Sequence, residues 1–89
     1  MFEFDPAKSI ANKAKHGIDF EEAQALWQDE DLLISRSRPG EPEERWLAIG
    51  AIDGRHWTTI FTMRGERIRL ISVRRAREQE VVAYGRKDD

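Results

Sequence analysis

The chain has 89 residues, a mass of 10.4 kDa and a net charge of −2. The length predicts one domain, over residues 1–89, and the acidic net charge argues against a protein that binds nucleic acid over its whole surface. Hydrophobic residues make up 39% and charged residues 36%, a composition typical of a folded domain with a charged surface. Because there is no cysteine and no apolar run longer than four residues, we expect no disulfide, cysteine zinc site, transmembrane helix or signal peptide, and a cytoplasmic protein.

The N-terminal part predicts a short strand at residues 2–4 and then two helices. Asp5 and Pro6 are typical of a helix start and Gly17 of a helix end. Apolar residues at helical spacing form a stripe on this first helix: Ala7, Ile10, Ala11 and Ala14. Asp19 and Glu22 predict a capping box that opens the second helix. Its predicted buried face consists of Phe20, Ala23, Leu26 and Trp27.

Beyond residue 31 the pattern changes to that of strands. We predict strands at residues 32–34, 46–52, 56–63 and 67–73, with a polar loop at 35–42, a hairpin turn at Asp53 and Gly54, and another turn at 64–66. A last helix is predicted over residues 77–84, with Gly85 as its end. The order β-α-α-β-β-β-β-α predicts an α+β domain, an antiparallel sheet meander with helices packed on one face.

Positive charge is concentrated in the second half of the chain. Residues 1–46 contain 11 acidic and 6 basic side chains, whereas residues 47–89 contain 6 acidic and 9 basic ones. The segment 64–77 carries six arginines and the single acid Glu66. Because guanidinium groups bind phosphates in a bidentate manner, this segment predicts a local phosphate-binding patch.

The alternation of side chains along a strand predicts which arginines lie together. Arg67 and Arg69 point to the same face, and parity assigns Arg75 rather than Arg74 to that face. One interpretation is an exposed face on which arginines pair with neighbouring acids. The other is a surface that holds an RNA backbone and stabilises a phosphorane without a metal ion.

Histidine and tyrosine are candidates for proton transfer. His16, at the end of the first helix, either bonds the last carbonyls or acts as an acid or phosphate ligand, since histidine titrates near neutral pH. Tyr84 either packs on the sheet or reaches the arginines. His56 begins a strand beside a hairpin turn, which indicates a surface residue. Neither histidine has another histidine or a suitable acid three or four residues further on, and no glycine-rich phosphate loop is present, so we expect no metal ion and no cofactor.

Together these segments resemble the BrnT family of type II toxins from residue 2 to about residue 84. The motifs that carry the resemblance are Phe4-Asp5-Pro6-x-Lys8, Asn12-x-x-Lys15-His16-Gly17-Ile18, Phe20-x-x-Ala23, Glu44-Arg45-Trp46-x-x-Ile49-Gly50, Arg67-Ile68-Arg69-x-Ile71-Ser72-x-Arg74-Arg75-Ala76 and Glu80-x-x-x-Tyr84.

The resemblance implies a RelE-like fold and a toxin that cleaves RNA, usually mRNA, without a metal ion and thereby stops translation and growth. It also implies a BrnA antitoxin with a ribbon-helix-helix part, a heterotetramer of the two proteins, and contact with DNA only through the antitoxin. The positions that match as site candidates are His16, Arg67, Arg69, Arg74, Arg75 and Tyr84.

Among these candidates we hypothesise that Arg67, Arg69 and Arg75 hold the phosphate, while His16, Tyr84 or a carboxylate such as Glu44 transfers protons. Two other functions are compatible with the same residues. One is a non-catalytic partner-binding domain that acts as a corepressor, with the arginines occupied by an acidic antitoxin segment. The other is an isolated RNA-binding module, which the acidic net charge disfavours.

Overall fold

The computed structural model describes residues 1–37 and 43–86, so part of the predicted loop at 35–42 and the end of the chain lie outside the described residues. None of the described helices is long and apolar enough to cross a membrane. The elements are, in chain order, β1 Phe2–Glu3, α1 Pro6–His16, α2 Phe20–Ala23, a 3-10 helix Gln24–Gln28, β2 Leu33–Arg36, β3 Trp46–Ile52, β4 Arg55–Arg64, β5 Arg67–Arg75 and α3 Glu78–Arg86.

The five strands form one sheet in the order β1-β5-β4-β3-β2. Strands β2 to β5 pair antiparallel, which confirms the predicted meander and the α+β class. Strand β1 forms one edge of the sheet and pairs parallel with β5, placing Phe2 opposite Ile68 and Glu3 opposite Arg69. The first residues of the chain therefore extend the sheet beside the arginine-rich strand.

The two faces of the sheet have different coverings. On one, the core face, buried side chains from the strands pack against the two N-terminal helical segments; this cluster includes Phe20, Leu26, Trp57, Phe61, Leu70 and Val73. Helix α3 lies against the other face, where the Thr58 hydroxyl donates to the Glu80 carboxylate at 3.0 Å. The helices are thus divided between both faces and do not share one.

A β-bulge in β5 changes which arginines lie together. Ile60 pairs with Ser72 but Phe61 pairs with Leu70, so Ile71 is an extra residue that shifts the alternation by one. Three arginines pair with even-numbered β4 residues and form what we call the arginine face: Arg67, Arg69 and Arg74. Arg75 pairs with Trp57 and lies on the core face. The parity prediction that joined Arg75 to Arg67 and Arg69 was therefore wrong.

Helix α1 has the orientation opposite to the one that its apolar stripe predicts, because its polar side faces the sheet. Its buried residues are the polar Ser9 and Asn12, whereas the predicted stripe is exposed to solvent. The Ser9 hydroxyl accepts a hydrogen bond from the Phe20 amide at 2.9 Å. The Asn12 amide donates to the Ile18 and Val73 carbonyls at 2.8 and 2.9 Å. These bonds satisfy backbone groups at the β5 edge and at the helix corner, and so they set the helix orientation.

Most of the predicted helix ends and turns are confirmed. Asp5 caps α1, Gly17 ends it in the left-handed conformation at φ 82°, and Asp19 with Glu22 forms the capping box. Asp53 and Gly54 both have positive φ, as a hairpin turn of this type requires. The predicted second helix changes to a 3-10 helix after Ala23.

Three predicted ends were wrong by two residues. Strand β2 continues to Arg36, past the predicted loop start, β5 continues past residue 73 to Arg75, and α3 continues through Gly85 to Arg86.

Gly50 of β3 lies against the helical layer, and this close approach yields a stability prediction. A Cβ there would lie 3.0 Å from Leu26 Cδ2 and 3.1 Å from Leu32 Cδ1. We expect Gly50→Ala to lower the free energy of unfolding by about 1–3 kcal/mol through overpacking, measured by urea unfolding. Gly85→Ala is the control, because no atom lies within 4 Å of its Cβ position. Equal stability of Gly50→Ala and the unmodified chain would contradict the close packing.

Candidate functional site

The arginines of the arginine face are bound by acids of this chain. Arg69 Nη1 lies 2.7 Å from Glu3 Oε2, and Arg67 Nη1 lies 3.9 Å from Glu3 Oε1. Arg74 donates two hydrogen bonds to Glu80, at 2.8 and 3.0 Å, with only 19% of its side chain exposed. A guanidinium with a carboxylate already in place is poorly disposed to bind a phosphate. Arg67, with 69% of its side chain exposed and a long contact, is the least committed of the three.

Glu80 is the centre of the bonds that attach α3 to the sheet. Besides the two bonds from Arg74, its carboxylate accepts from the Thr58 hydroxyl and from the Arg77 amide at 2.7 Å. Hydrogen bonding by Arg74 lowers the pKa of Glu80 to about 2, against the opposing effect of burial. Hydrogen bonding to Glu80 in turn raises the pKa of the Arg74 guanidinium. Arg74 and Glu80 are therefore charged in the folded protein, and their pairing is structural.

Tyr84 points away from the arginines of this face. Its hydroxyl donates to Asp29 Oδ2 at 2.6 Å, and its ring packs edge-on against His56 with ring centres 5.2 Å apart. The bond to Asp29 raises the pKa of Tyr84 to about 12, so this hydroxyl stays protonated at neutral pH. The carboxylate of Asp29 also accepts from the Ala51 amide at 2.9 Å. Tyr84 thus ties α3 to the segment before β2.

A cleft opens on the core face of the sheet, where α1, α2 and the β3–β4 hairpin meet. Its volume is about 430 Å³ and its lining consists of Gly17, Ile18, Glu22, Ile52, Asp53, Arg55 and Trp57. The Arg75 guanidinium lies 5.4 Å from the centre of the Trp57 ring, an arrangement that favours cation–π attraction. Within residues 1–37 and 43–86, Arg75 has no carboxylate partner. A guanidinium without a carboxylate partner therefore sits on the tryptophan that lines the cleft.

His16 belongs to this cleft end of the molecule. It directly precedes Gly17 of the lining, and it lies one helical turn beyond Asn12, on the same side of α1. Asn12 is hydrogen-bonded to Val73, which lies two residues before Arg75 on the same face of β5. The chain therefore brings His16 and Arg75 to one region. Arg67, Arg69, Arg74 and Tyr84 belong to the opposite face.

Some residues of this region were not predicted as site residues. Trp57, Arg55 and Asn12 acquire their positions from the strand register and from contacts between distant segments. The one local signal was the i, i+4 spacing of Asn12 and His16. The side chain of Glu44, named as a proton-transfer candidate, pairs with Arg36 near the start of β3. No three His, Asp or Glu side chains are grouped to hold a metal ion among residues 1–37 and 43–86.

Comparison with protein families gives a match that covers most of the chain. Residues 4–80 match the family described as "Ribonuclease toxin, BrnT, of type II toxin-antitoxin system". The match covers α1, α2, all of β2 to β5 and the first residues of α3. No curated protein matches the sequence.

Proposed function

Since the chain belongs to the BrnT family of ribonuclease toxins of type II toxin–antitoxin systems, we propose that it is a metal-independent endoribonuclease whose reaction takes place at the cleft beside His16 and Arg75. The observation that carries this proposal is the Arg75 guanidinium on Trp57, which has no carboxylate partner among the described residues, next to a cleft of about 430 Å³. The proposed substrate is mRNA, and its cleavage stops translation and growth.

Arg75 is proposed to hold the phosphate. A guanidinium keeps its charge at any physiological pH and offers two parallel N–H donors to a phosphate. Such donors stabilise the extra negative charge that develops on the phosphorane when the 2′-oxygen attacks phosphorus. Arg55, which lines the same cleft, adds a second positive charge. The arginines of the arginine face are less suitable, because binding RNA would require them to leave Glu3 or Glu80.

His16 is proposed to transfer a proton. The 2′-hydroxyl must lose a proton as it attacks, and the departing 5′-oxygen must gain one; the products are a 2′,3′-cyclic phosphate and a 5′-hydroxyl. An imidazole exchanges protons near neutral pH and suits either step. Glu22 and Asp53 are the carboxylates that line the cleft. This assignment keeps His16 and Arg75 from the six predicted candidates as reacting groups and gives Arg74 and Tyr84 structural roles.

We propose a RelE-like fold, a cytoplasmic location, and a BrnA-like antitoxin with a ribbon-helix-helix part. The two proteins would form a heterotetramer that contacts DNA only through the antitoxin. The membership in a type II toxin–antitoxin family supports an antitoxin partner and an RNA substrate.

The test is induction of this chain alone in a bacterial host, with growth and RNA integrity followed together. Growth arrest with fragmented RNA is the expected result. Normal growth and intact RNA, with folded protein confirmed in the cells, would contradict the ribonuclease and favour a non-catalytic corepressor.

Tyr84 gives a prediction that separates the two faces. We expect Tyr84→Phe to retain RNA cleavage within about threefold, because the ring contact with His56 remains and only the bond to Asp29 is lost. The lost bond should lower the free energy of unfolding by about 1 kcal/mol. Initial cleavage rates and urea unfolding measure the two effects. A loss of cleavage with an unchanged fold would instead make the Tyr84 hydroxyl a reacting group and move the reaction to the α3 side of the sheet.

A further inference from the structure

The outer side of α1 is an apolar surface without a covering in the described structure. Ile10 is 73% exposed, and the other members of the stripe are exposed with it: Ala7, Ala11 and Ala14. An amphipathic helix ordinarily turns its apolar side toward a hydrophobic core. Here that side faces away from the core of its own chain.

The orientation of α1 is set by polar bonds, so the apolar side cannot turn inward by rotation. Ser9 and Asn12 lie on the opposite side of the helix and bond the backbone of Phe20, Ile18 and Val73. Rotating the helix would break these bonds and leave buried polar groups without hydrogen-bond partners, which is unfavourable. The exposed apolar side is therefore a lasting feature of the surface.

Charge indicates what covers this surface. Helix α1 contains three lysines and no acidic residue, in a half of the chain that is otherwise rich in acids. Lys8 and Lys15, seven residues apart, lie along one edge of the stripe, and neither has a carboxylate partner among the described residues. Lys13, on the other edge, is paired with Glu22 at 2.8 Å. The surface is therefore apolar along its centre and positively charged along one edge.

We propose that the outer face of α1, formed by Ile10 and its flanking alanines and lysines, is the docking site for an acidic amphipathic helix of the antitoxin. Apolar residues of that helix would cover Ile10 and the alanines, and its Asp or Glu side chains would pair with Lys8 and Lys15. The proposal rests on the proposed function, which supplies the antitoxin. A second copy of this chain fits less well, because it would bring lysines against lysines. RNA phosphates would suit the lysines but leave Ile10 in water.

The docking site and the reaction site use different sides of α1. His16 lies on the Asn12 side, which faces the sheet, and the proposed docking site is the opposite side. Substitutions on the outer face therefore change partner affinity without touching the cleft. Affinity and cleavage can be measured as separate quantities.

The experiment uses this chain and the product of the reading frame adjacent to its gene, co-expressed and purified as a complex. Ile10→Asp and the pair Lys8→Glu, Lys15→Glu are compared with Val82→Asp, a control at a 45% exposed apolar position on α3. Dissociation constants are measured by calorimetry, with thermal unfolding as the fold check and RNA cleavage as a separate readout. We expect Ile10→Asp to weaken partner binding by roughly 30-fold or more, the lysine pair by a smaller factor, and Val82→Asp hardly at all.

Unchanged partner affinity in both outer-face variants would overturn the docking site. A dimer of the unmodified chain that Ile10→Asp dissociates, or a loss of RNA binding in place of partner binding, would overturn it in favour of those occupants. Because affinity is measured without reference to cleavage, a chain that binds its partner through α1 but leaves RNA intact would contradict the proposed function alone.

Discussion

Replacing Arg75 with alanine is expected to reduce the rate of RNA cleavage by about 100- to 1000-fold, the usual cost of losing one donor that stabilises charge in a transition state. The guanidinium lies on the Trp57 ring without a carboxylate partner in the described structure, so it is the cation best placed to receive a phosphate. Its side chain is exposed, and the fold should persist. Initial rates with the purified chain and a labelled RNA measure the effect.

Arg67→Ala is the matched control for this prediction. Arg67 is also an exposed β5 arginine, but it lies on the other face and contacts Glu3 at 3.9 Å. We expect its removal to change the rate by no more than about threefold, the size of a remote electrostatic effect. If Arg67→Ala lost cleavage and Arg75→Ala retained it, the reaction would belong to the arginine face.

The second large effect concerns stability and centres on Glu80. We expect Glu80→Gln to lower the free energy of unfolding by about 2–4 kcal/mol at pH 7, because it leaves the half-buried Arg74 without its charged partner. Glu78→Gln is the control, since Glu78 is an exposed residue of the same helix. Urea unfolding of both variants measures the difference. Equal stability of the two would contradict the structural role of the pair.

The same pair predicts a pH dependence with a definite sign. The pKa of Glu80 is about 2 in the folded protein and near 4.5 when the chain is unfolded. A carboxylate whose pKa is lower in the folded than in the unfolded protein stabilises the fold at pH values above its unfolded-state pKa. That stabilisation is lost as the pH falls toward the folded-state pKa. We therefore expect Glu80 to contribute fully above about pH 5 and progressively less between pH 5 and pH 2. Glu80→Gln should show a weaker loss of stability over that window than the unmodified chain.

Features encoded by neighbouring residues could be predicted from the sequence. The Asp5 cap, the Gly17 end of α1, the capping box at Asp19 and the turn at Asp53 all depend on bonds within a few residues. The buried face of the second helical segment also followed from its spacing, since Phe20, Ala23 and Leu26 are buried as predicted. Local patterns of this kind carry enough information to place the elements in order.

Features that depend on distant segments could not be predicted. The bulge at Ile71 has no local signal, yet it moves Arg75 to the face opposite Arg67 and Arg69. The orientation of α1 depends on bonds between Asn12 and Val73, 61 residues apart, which outweigh the apolar stripe. Residue types at the site were thus predictable, whereas their division between the two faces was not.

The decisive measurement is incubation of the purified free chain with a defined RNA in EDTA, with the ends of any fragments identified by mass spectrometry. A matched RNA with 2′-deoxyribose at the cut position serves as the control. We predict fragments that end in a 2′,3′-cyclic phosphate, with no cut at the deoxyribose. Cleavage that disappears in EDTA, or that persists at the deoxyribose, would contradict a metal-independent attack by the 2′-hydroxyl.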